Sequence, residues 1–268
     1  MCKISVIMSV FNDEKFLSYA VNSILCQTFD DFQFVICDDG SCDGSWQILE
    51  KFAQKDKRIT LFRNETNMGL QFSLNKCIEK SVGEYIARMD SDDIAKAYRF
   101  ERQAKFLDEN AQYALCSSLT YIIDDDNKVI GQTYNGGARS LIDVYKGRNF
   151  AHPTVVMRKS ALVAVGGYNQ SKSVTRLEDY DLWCKFYQKN YQGFVLEERL
   201  LNYREDLSNF KKRKYKFRVQ LSKNMFKWAK KFQLGFAMKL FALKPLIVGL
   251  VPSSILLKKR KKAIEIKQ

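Results

Sequence analysis

Gly83-Glu84-Tyr85-Ile86-Ala87-Arg88-Met89-Asp90-Ser91-Asp92-Asp93 is the stretch on which the reading of this chain turns. Its first part, Glu84–Met89, has the aromatic and aliphatic content of a strand, and its end carries three carboxylates in four residues. In an extended segment residues i and i+2 point the same way, so Asp90 and Asp92 converge on one ligand or ion. The end of a parallel strand is half buried, and buried carboxylates need partners. A hard divalent cation that also holds a diphosphate needs only one or two carboxylates, with phosphate oxygens and water filling its other positions. The alternative is a solvated acidic turn, or carboxylates capping the next helix. Placement within the fold decides between the two.

Outward from this stretch, strand patterns recur at Lys3–Phe11, Phe32–Asp38 and Arg58–Arg63. Helical patterns lie at Glu14–Cys26, Gly44–Ala53 and Leu70–Lys80, with another at Ala97–Glu109. In the first helix Phe16, Ala20, Ile24 and Leu17, Val21, Leu25 recur at spacings of four, which makes one apolar face. Strands separated by helices of this length predict βαβ units and a mostly parallel sheet. Ligands of such sheets bind outside the carboxyl ends of the strands. The second strand also ends in acids, Cys37-Asp38-Asp39-Gly40-Ser41. Two acidic strand ends on the ligand side favour a site over a solvated turn. From 113 to 205 the strands Ala114–Ile123, Val129–Thr133, Thr154–Met157 and Phe194–Leu196 surround a helix at Tyr180–Lys189. This half is expected to complete the sheet and to build the acceptor side of a cleft.

With 268 residues, 46% hydrophobic and 28% charged, the chain can bury a core and is not a disordered polymer. Seven cysteines without a Cys-x-x-Cys pair, and His152 as the single histidine, argue against a disulfide framework and a zinc site. Met1–Met8 runs straight into a strand pattern without a cleavage site, so a reducing cytosol is expected. The net charge of +14 is unevenly spread: residues 211–268 hold 18 Lys/Arg against one acid, whereas the preceding residues hold 26 against 29. The division expected is a body at 1–208 and a basic tail at 209–268.

Ile4–Asn12, Ser23-Ile24-Leu25-Cys26-Gln27-Thr28-Phe29, Asp38-Asp39-Gly40-Ser41, Asn67-Met68-Gly69 and the opening stretch together resemble glycosyltransferase family 2, the inverting nucleotide-sugar transferases. His152-Pro153-Thr154, Gly166-Gly167-Tyr168 and Leu177–Trp183 fit the same pattern, so the resemblance covers residues 3 to about 205. Phe11 stands where Tyr is common and Ala97 where Pro often follows the acidic block; neither touches the carboxylates. The resemblance implies an α/β, GT-A (Rossmann-like) fold with a mostly parallel central sheet flanked by helices. It places Ser9 and Phe11 at the nucleotide pocket, where an aromatic face stacks on a pyrimidine. Asp39 accepts from a base N–H, favouring uracil and thus a UDP-linked donor; Asp90 serves the ribose hydroxyls. Asp92 is the implied ligand of Mn²⁺ or Mg²⁺, bridging to the diphosphate.

Asp179, Leu182, Trp183, Phe186 and Tyr187 share a helical face, with Asp179 at its top and Asp181 off it. By itself Asp179 is equally an N-cap; in the family the matching residue of the Glu-Asp pair is the general base. His152 reads either as a residue of the acceptor or metal site or as a packed imidazole before Pro153. Arg99 and Gln103 order the metal loop or form a polar face.

In the tail, Lys/Arg at 211–231 interleave with Tyr215, Phe217, Leu221, Met225, Phe226 and Trp228, and the apolar run 232–257 is interrupted by Lys239, Lys244, Pro245 and Pro252. A spanning helix needs about 20 apolar residues, so a helical segment lying on an anionic membrane surface fits better. Nucleic acid is not the expected partner, since phosphate contacts have no use for the apolar run. Removal of 211–268 is expected to leave a soluble body. Body and tail together point to transfer of a sugar to a saccharide acceptor, lipid-linked, in surface polysaccharide or glycolipid assembly. The enzyme would sit at the cytoplasmic face of the membrane, peripheral or monotopic. A sugar nucleotidyltransferase would need a Gly-rich basic loop where Val10-Phe11-Asn12-Asp13-Glu14 stands. A non-catalytic membrane scaffold of the same fold is the other alternative.

Overall fold

A computed structural model gives the fold and describes residues 2–205 and 215–266. The first half alternates β1 (Ile4–Val10), α1 (Glu14–Leu25), β2 (Phe32–Asp38), α2 (Ser45–Lys55), β3 (Ile59–Arg63), α3 (Leu70–Lys80), β4 (Tyr85–Arg88), β5 (Ile94–Ala95) and α4 (Arg99–Glu109). The second half runs β6 (Tyr113–Ile123), β7 (Val129–Gln132), β8 (Gly137–Ala138), α5 (Leu141–Tyr145), β9 (Val156–Arg158), α6 (Lys159–Ala164), α7 (Glu178–Gln188) and β10 (Gln192–Arg204). Four tail helices follow: α8 (Tyr215–Lys231), α9 (Phe236–Phe241), α10 (Lys244–Gly249) and α11 (Ser253–Ile264).

The strands order as β3-β2-β1-β4-β9-β6-β10-β5, with β7 on β6 and β8 on β10. The first four strands are parallel, as are β6 and β10, while β9 is antiparallel to both β4 and β6. The expected parallel sheet is therefore present with antiparallel strands inserted into it. Alternation along β1 shows why the sheet is two-sided. Ile4, Val6, Met8 and Val10 join the core under α1, α2 and α4, while Ile7 faces the core under α3, α6 and α7.

The tail helices pack into the second of these cores. Met225, Trp228, Ala229 and Ala242 are buried there beside Trp183 and Tyr145. Asp181 Oδ1 accepts from Trp228 Nε1 at 3.1 Å and Lys227 Nζ at 3.3 Å, and Tyr145 donates to the Met238 carbonyl at 2.6 Å. Removing 211–268 would uncover this apolar face and take away two of the three side-chain donors of Asp181, leaving Asn169 Nδ2 at 3.1 Å, so these contacts speak against the expectation of a soluble body without its tail. The 208/209 division and Lys211-Lys212-Arg213-Lys214 lie outside the described residues. No single helix among the described residues is long and apolar enough to cross a membrane; Phe236–Gly249 and Ser253–Ile264 pass that test only as a pair bent by 111°.

Candidate active site

Parallel register brings the acidic strand ends together. Ser9 lies opposite Cys37 and Val10 opposite Asp38, while Ile7 pairs with Arg88, so the ends of β1, β2 and β4 share one edge. Ser9 is half-buried there, and Phe11 is 45% exposed, its ring available at the rim. Asn12 takes a left-handed φ of 52°. Its N–H donates to Ser41 Oγ at 3.0 Å and its Oδ1 accepts from Cys42 N–H at 2.8 Å, which locks the two loops that follow β1 and β2.

Asp39 is buried and heavily engaged. Its Oδ1 accepts from Asn64 Nδ2 (2.7 Å), Met68 N–H (2.9 Å) and Ser73 Oγ (2.9 Å), and its Oδ2 from Gly69 N–H at 2.8 Å. It thus ties the Asn67-Met68-Gly69 turn to the strand end. A carboxylate offers about four lone-pair sites, so one site on Oδ2 is left without a donor among the described residues. Gly40, at φ +76°, makes this approach possible: a Cβ there would lie 2.7 Å from the Thr66 carbonyl carbon. Asp38 is a brace, accepting from Ser41 N–H and Arg63 Nε at 3.0 Å each.

After β4 the side chains of Asp90, Asp92 and Asp93 each bring an oxygen within 4.8 Å of the others. Burial, then the neighbouring Asp90 and Asp13, raise the Asp92 carboxyl to about 7. Burial first, then Asp90 and Asp92, push Asp93 well above its ordinary range; its Oδ2 is buried without a partner among the described residues, while Oδ1 accepts from Arg204 N–H at 2.8 Å. Arg88 forms an ion pair with Asp90. Behind them Arg99 is fully buried, donating from Nη2 to the Arg88 carbonyl at 2.8 Å and from Nε to Gln103 Oε1 at 3.0 Å. Arg99 and Gln103 therefore brace the end of β4, just before the acidic loop. Crowded oxygens, a buried orphan and proton affinities raised by burial and by mutual repulsion are the donor set a divalent cation would relieve, so the residues fit Mn²⁺ or Mg²⁺. Asp93 was not singled out in the sequence because alternation turns it away from Asp90 and Asp92; the loop bends into β5 and brings it back.

Across a cleft of about 580 Å³, lined among others by Arg88, Asp90, His152, Arg176 and Glu178, stands Asp179. Helix α7 begins at Glu178, two residues before the predicted start, so Asp179 occupies its first turn. Its Oδ1 accepts from Tyr180 N–H at 2.7 Å, leaving Oδ2 without a hydrogen-bond partner among the described residues. Burial raises its proton affinity, partly offset by Arg88. Leu182, Trp183, Phe186 and Tyr187 form the buried stripe, while Asp181 is sealed under the tail by Trp228 and Lys227. His152 also lines the cleft; its Nε2 pairs with Tyr168 Oη at 2.7 Å, and burial with Arg88 nearby holds it neutral, well below the ordinary imidazole range.

A sheet of this order with carboxylates at its carboxyl edge is the GT-A framework of a glycosyltransferase. It superposes on TarS 1-349 of S. aureus in complex with UDP-GlcNAc at a TM-score of 0.68, with 22% identity, covering 92% of this chain and 71% of that one. The mannosyltransferase PcManGT from Pyrobaculum calidifontis, in complex with GDP-Man and Mn²⁺, gives a TM-score of 0.65 at 14% identity over 97% of this chain and 80% of that one. The model of glycosyl transferase family 2 matches residues 5–166, and the chain belongs to that family. EpsE of Bacillus subtilis (strain 168), named as a glycosyltransferase, is 32% identical over 98% of this chain and 94% of its own length. The Escherichia coli O-antigen biosynthesis glycosyltransferase WbnJ is 31% identical over 75% of this chain and 79% of its own.

Proposed function

We propose that this glycosyltransferase moves a sugar from a UDP-linked donor to a saccharide acceptor in one inverting, metal-dependent displacement. The observation that carries the proposal is the acidic trio Asp90, Asp92 and Asp93, whose Asp90 lines one cleft together with Asp179. Ser9, Phe11 and the remaining lone pair of Asp39 receive the nucleoside, and Asp90 the ribose. Asp92, with Asp93 beside it, would hold Mn²⁺ or Mg²⁺, whose charge offsets that of the departing diphosphate. Asp179 takes the proton of the acceptor hydroxyl at Oδ2, on the face of the anomeric carbon opposite the nucleotide. The UDP-GlcNAc complex of TarS and the GDP-Man and Mn²⁺ complex of PcManGT support a nucleotide-sugar donor and a metal for a protein of this fold.

The acceptor is lipid-linked in this reading, in cell-surface polysaccharide or glycolipid assembly. Support comes from the O-antigen role in the name of WbnJ and from the tail surface. Phe236 and Leu250 are each 76% exposed and Ile247 65%, among Lys239, Lys244 and the Lys258–Lys262 run. Apolar side chains with surrounding lysines suit an anionic bilayer at the cytoplasmic face better than nucleic acid. In this organisation residues 1–208 carry the chemistry and 209–268 bring it to the membrane.

Thermal unfolding across a panel of nucleotide sugars, with and without Mn²⁺, tests the donor assignment, because a ligand of the folded state raises the melting temperature by mass action. A rise with UDP-sugars that needs Mn²⁺ supports the proposal; no rise with any nucleotide sugar overturns it.

A further inference from the structure

The tail reaches the cleft itself. Among the described residues three arginines line it: Arg88, Arg176 and Arg260. Arg88 is committed to Asp90. Arg176 stands on the Asp179 flank, its guanidinium 4.8 Å from the centre of the Phe217 ring of α8. Arg260 arrives from α11, far along the chain. Its Nε contacts both Glu205 oxygens at 3.1 and 3.2 Å, and its Nη2 donates to Oε2 at 2.6 Å. Its Nη1 has no partner among the described residues, and the side chain keeps 30% of its surface exposed.

Glu205 fixes where that guanidinium sits. It follows Arg204, whose N–H holds Asp93 and whose Nε donates to the Asp92 carbonyl at 2.8 Å. The chain of contacts therefore carries Arg260 to the acidic end of the cleft, opposite the Asp179 flank. Every guanidinium nitrogen of Arg204 is already engaged, the other two with the Asp124 carbonyl and Asn127 Oδ1. A diphosphate entering here meets Asp90, Asp92 and Asp93, and needs positive charge with geometry to match its oxygens. A guanidinium oriented by one carboxylate, with a nitrogen still open, meets that need.

We propose that Arg260 of the C-terminal helix binds the diphosphate of the donor, so that the tail forms part of the active site as well as the attachment to the membrane. This rests on the nucleotide-sugar reading above. The placement of α11 depends on a small residue in β7. A Cβ on Gly131 would lie 2.6 Å from the Ile264 carbonyl oxygen, and Ile264 is buried. Next to it, Tyr134 Oη donates to the Glu265 carbonyl at 2.6 Å. A larger residue at 131 must shift the last turn of α11, and Arg260 with it.

Calorimetry with UDP and with uridine, at saturating Mn²⁺ and on the full chain, tests this. Arg260→Ala is expected to weaken UDP by about 10- to 100-fold, the range of a lost charge-assisted hydrogen bond. Uridine, which lacks the diphosphate, should bind as to the wild type. Arg260→Lys should recover part of the loss, and Gly131→Val should reproduce the selective weakening of UDP. Equal UDP affinity in Arg260→Ala and wild type overturns the inference, as does an equal loss for uridine, which would mark a merely structural role. If the wild type itself binds no UDP, the donor reading fails instead, and the two failures are distinct.

Discussion

Asp179→Asn separates chemistry from architecture. The amide oxygen of Asn can still accept the Tyr180 N–H that Asp179 Oδ1 accepts at 2.7 Å, so the first turn of α7 is kept. What disappears is the proton acceptor at the second oxygen. Loss of a general base costs about 10²–10⁴ in rate, which is about 3–5 kcal/mol of transition-state stabilisation. Stability should move the other way. Burial raises the folded carboxyl above its ordinary 3.8, so its ionised form is penalised in the fold, and that penalty grows as pH rises above 3.8. A neutral amide escapes it, and the melting temperature at pH 7 should hold or rise. The pH profile carries the same sign: the base works unprotonated, so wild-type turnover should fall as pH drops through a pKa above 3.8. The residual rate of the variant should lack that limb. Nucleotide release under saturating donor, followed across pH with donor affinity measured in parallel, is the assay. Near-wild-type turnover in Asp179→Asn refutes the reasoning. In that event Glu178→Gln becomes informative, because Glu178 Oε2 is buried without a partner beside the same cleft.

Asp92→Ala should abolish turnover and the Mn²⁺-dependent part of UDP affinity in calorimetry; unchanged Mn²⁺ stimulation would remove Asp92 from the metal site. Trp228→Ala deletes a side chain only 1% exposed together with the donor to Asp181, and should cost about 3–5 kcal/mol, read as a melting temperature lower by roughly 6–20 °C. A shift under about 2 °C would mean the tail is not anchored there. In flotation with liposomes, the protein should bind anionic vesicles and be only partly released by high salt, because screening removes the lysine share and leaves apolar insertion. Indifference to anionic lipid alongside tight DNA binding would contradict the membrane proposal.

Much of the scaffold was legible because each early strand is a continuous apolar run and each early helix has one apolar face. Phe32–Asp38 and Leu70–Lys80 coincide with β2 and α3. The second half was harder for a physical reason. Only Phe194–Leu196 reads as strand, yet β10 runs Gln192–Arg204, because Glu197-Glu198-Arg199 break the apolar pattern where the pairing with β6 also shifts register. The antiparallel insertion of β9 depends on pairing partners that no local pattern encodes. The same holds at the site. Asp90, Asp92 and Asp179 were marked by position at strand and helix ends, whereas the Asp93–Arg204 and Glu205–Arg260 contacts exist only once distant segments meet. Asp181 shows the converse: it lies off the helix stripe in the sequence pattern, yet the tail buries it.

The central claim is a single displacement at the anomeric carbon, with Asp179 accepting the proton of the attacking hydroxyl. Proton NMR of the sugar released when wild-type enzyme turns over an α-linked UDP-sugar onto water, recorded before mutarotation, tests it most directly. The account predicts that the β anomer appears first and that Asp179→Asn releases almost none. The α anomer appearing first would contradict it, since retention at that carbon is incompatible with one in-line displacement.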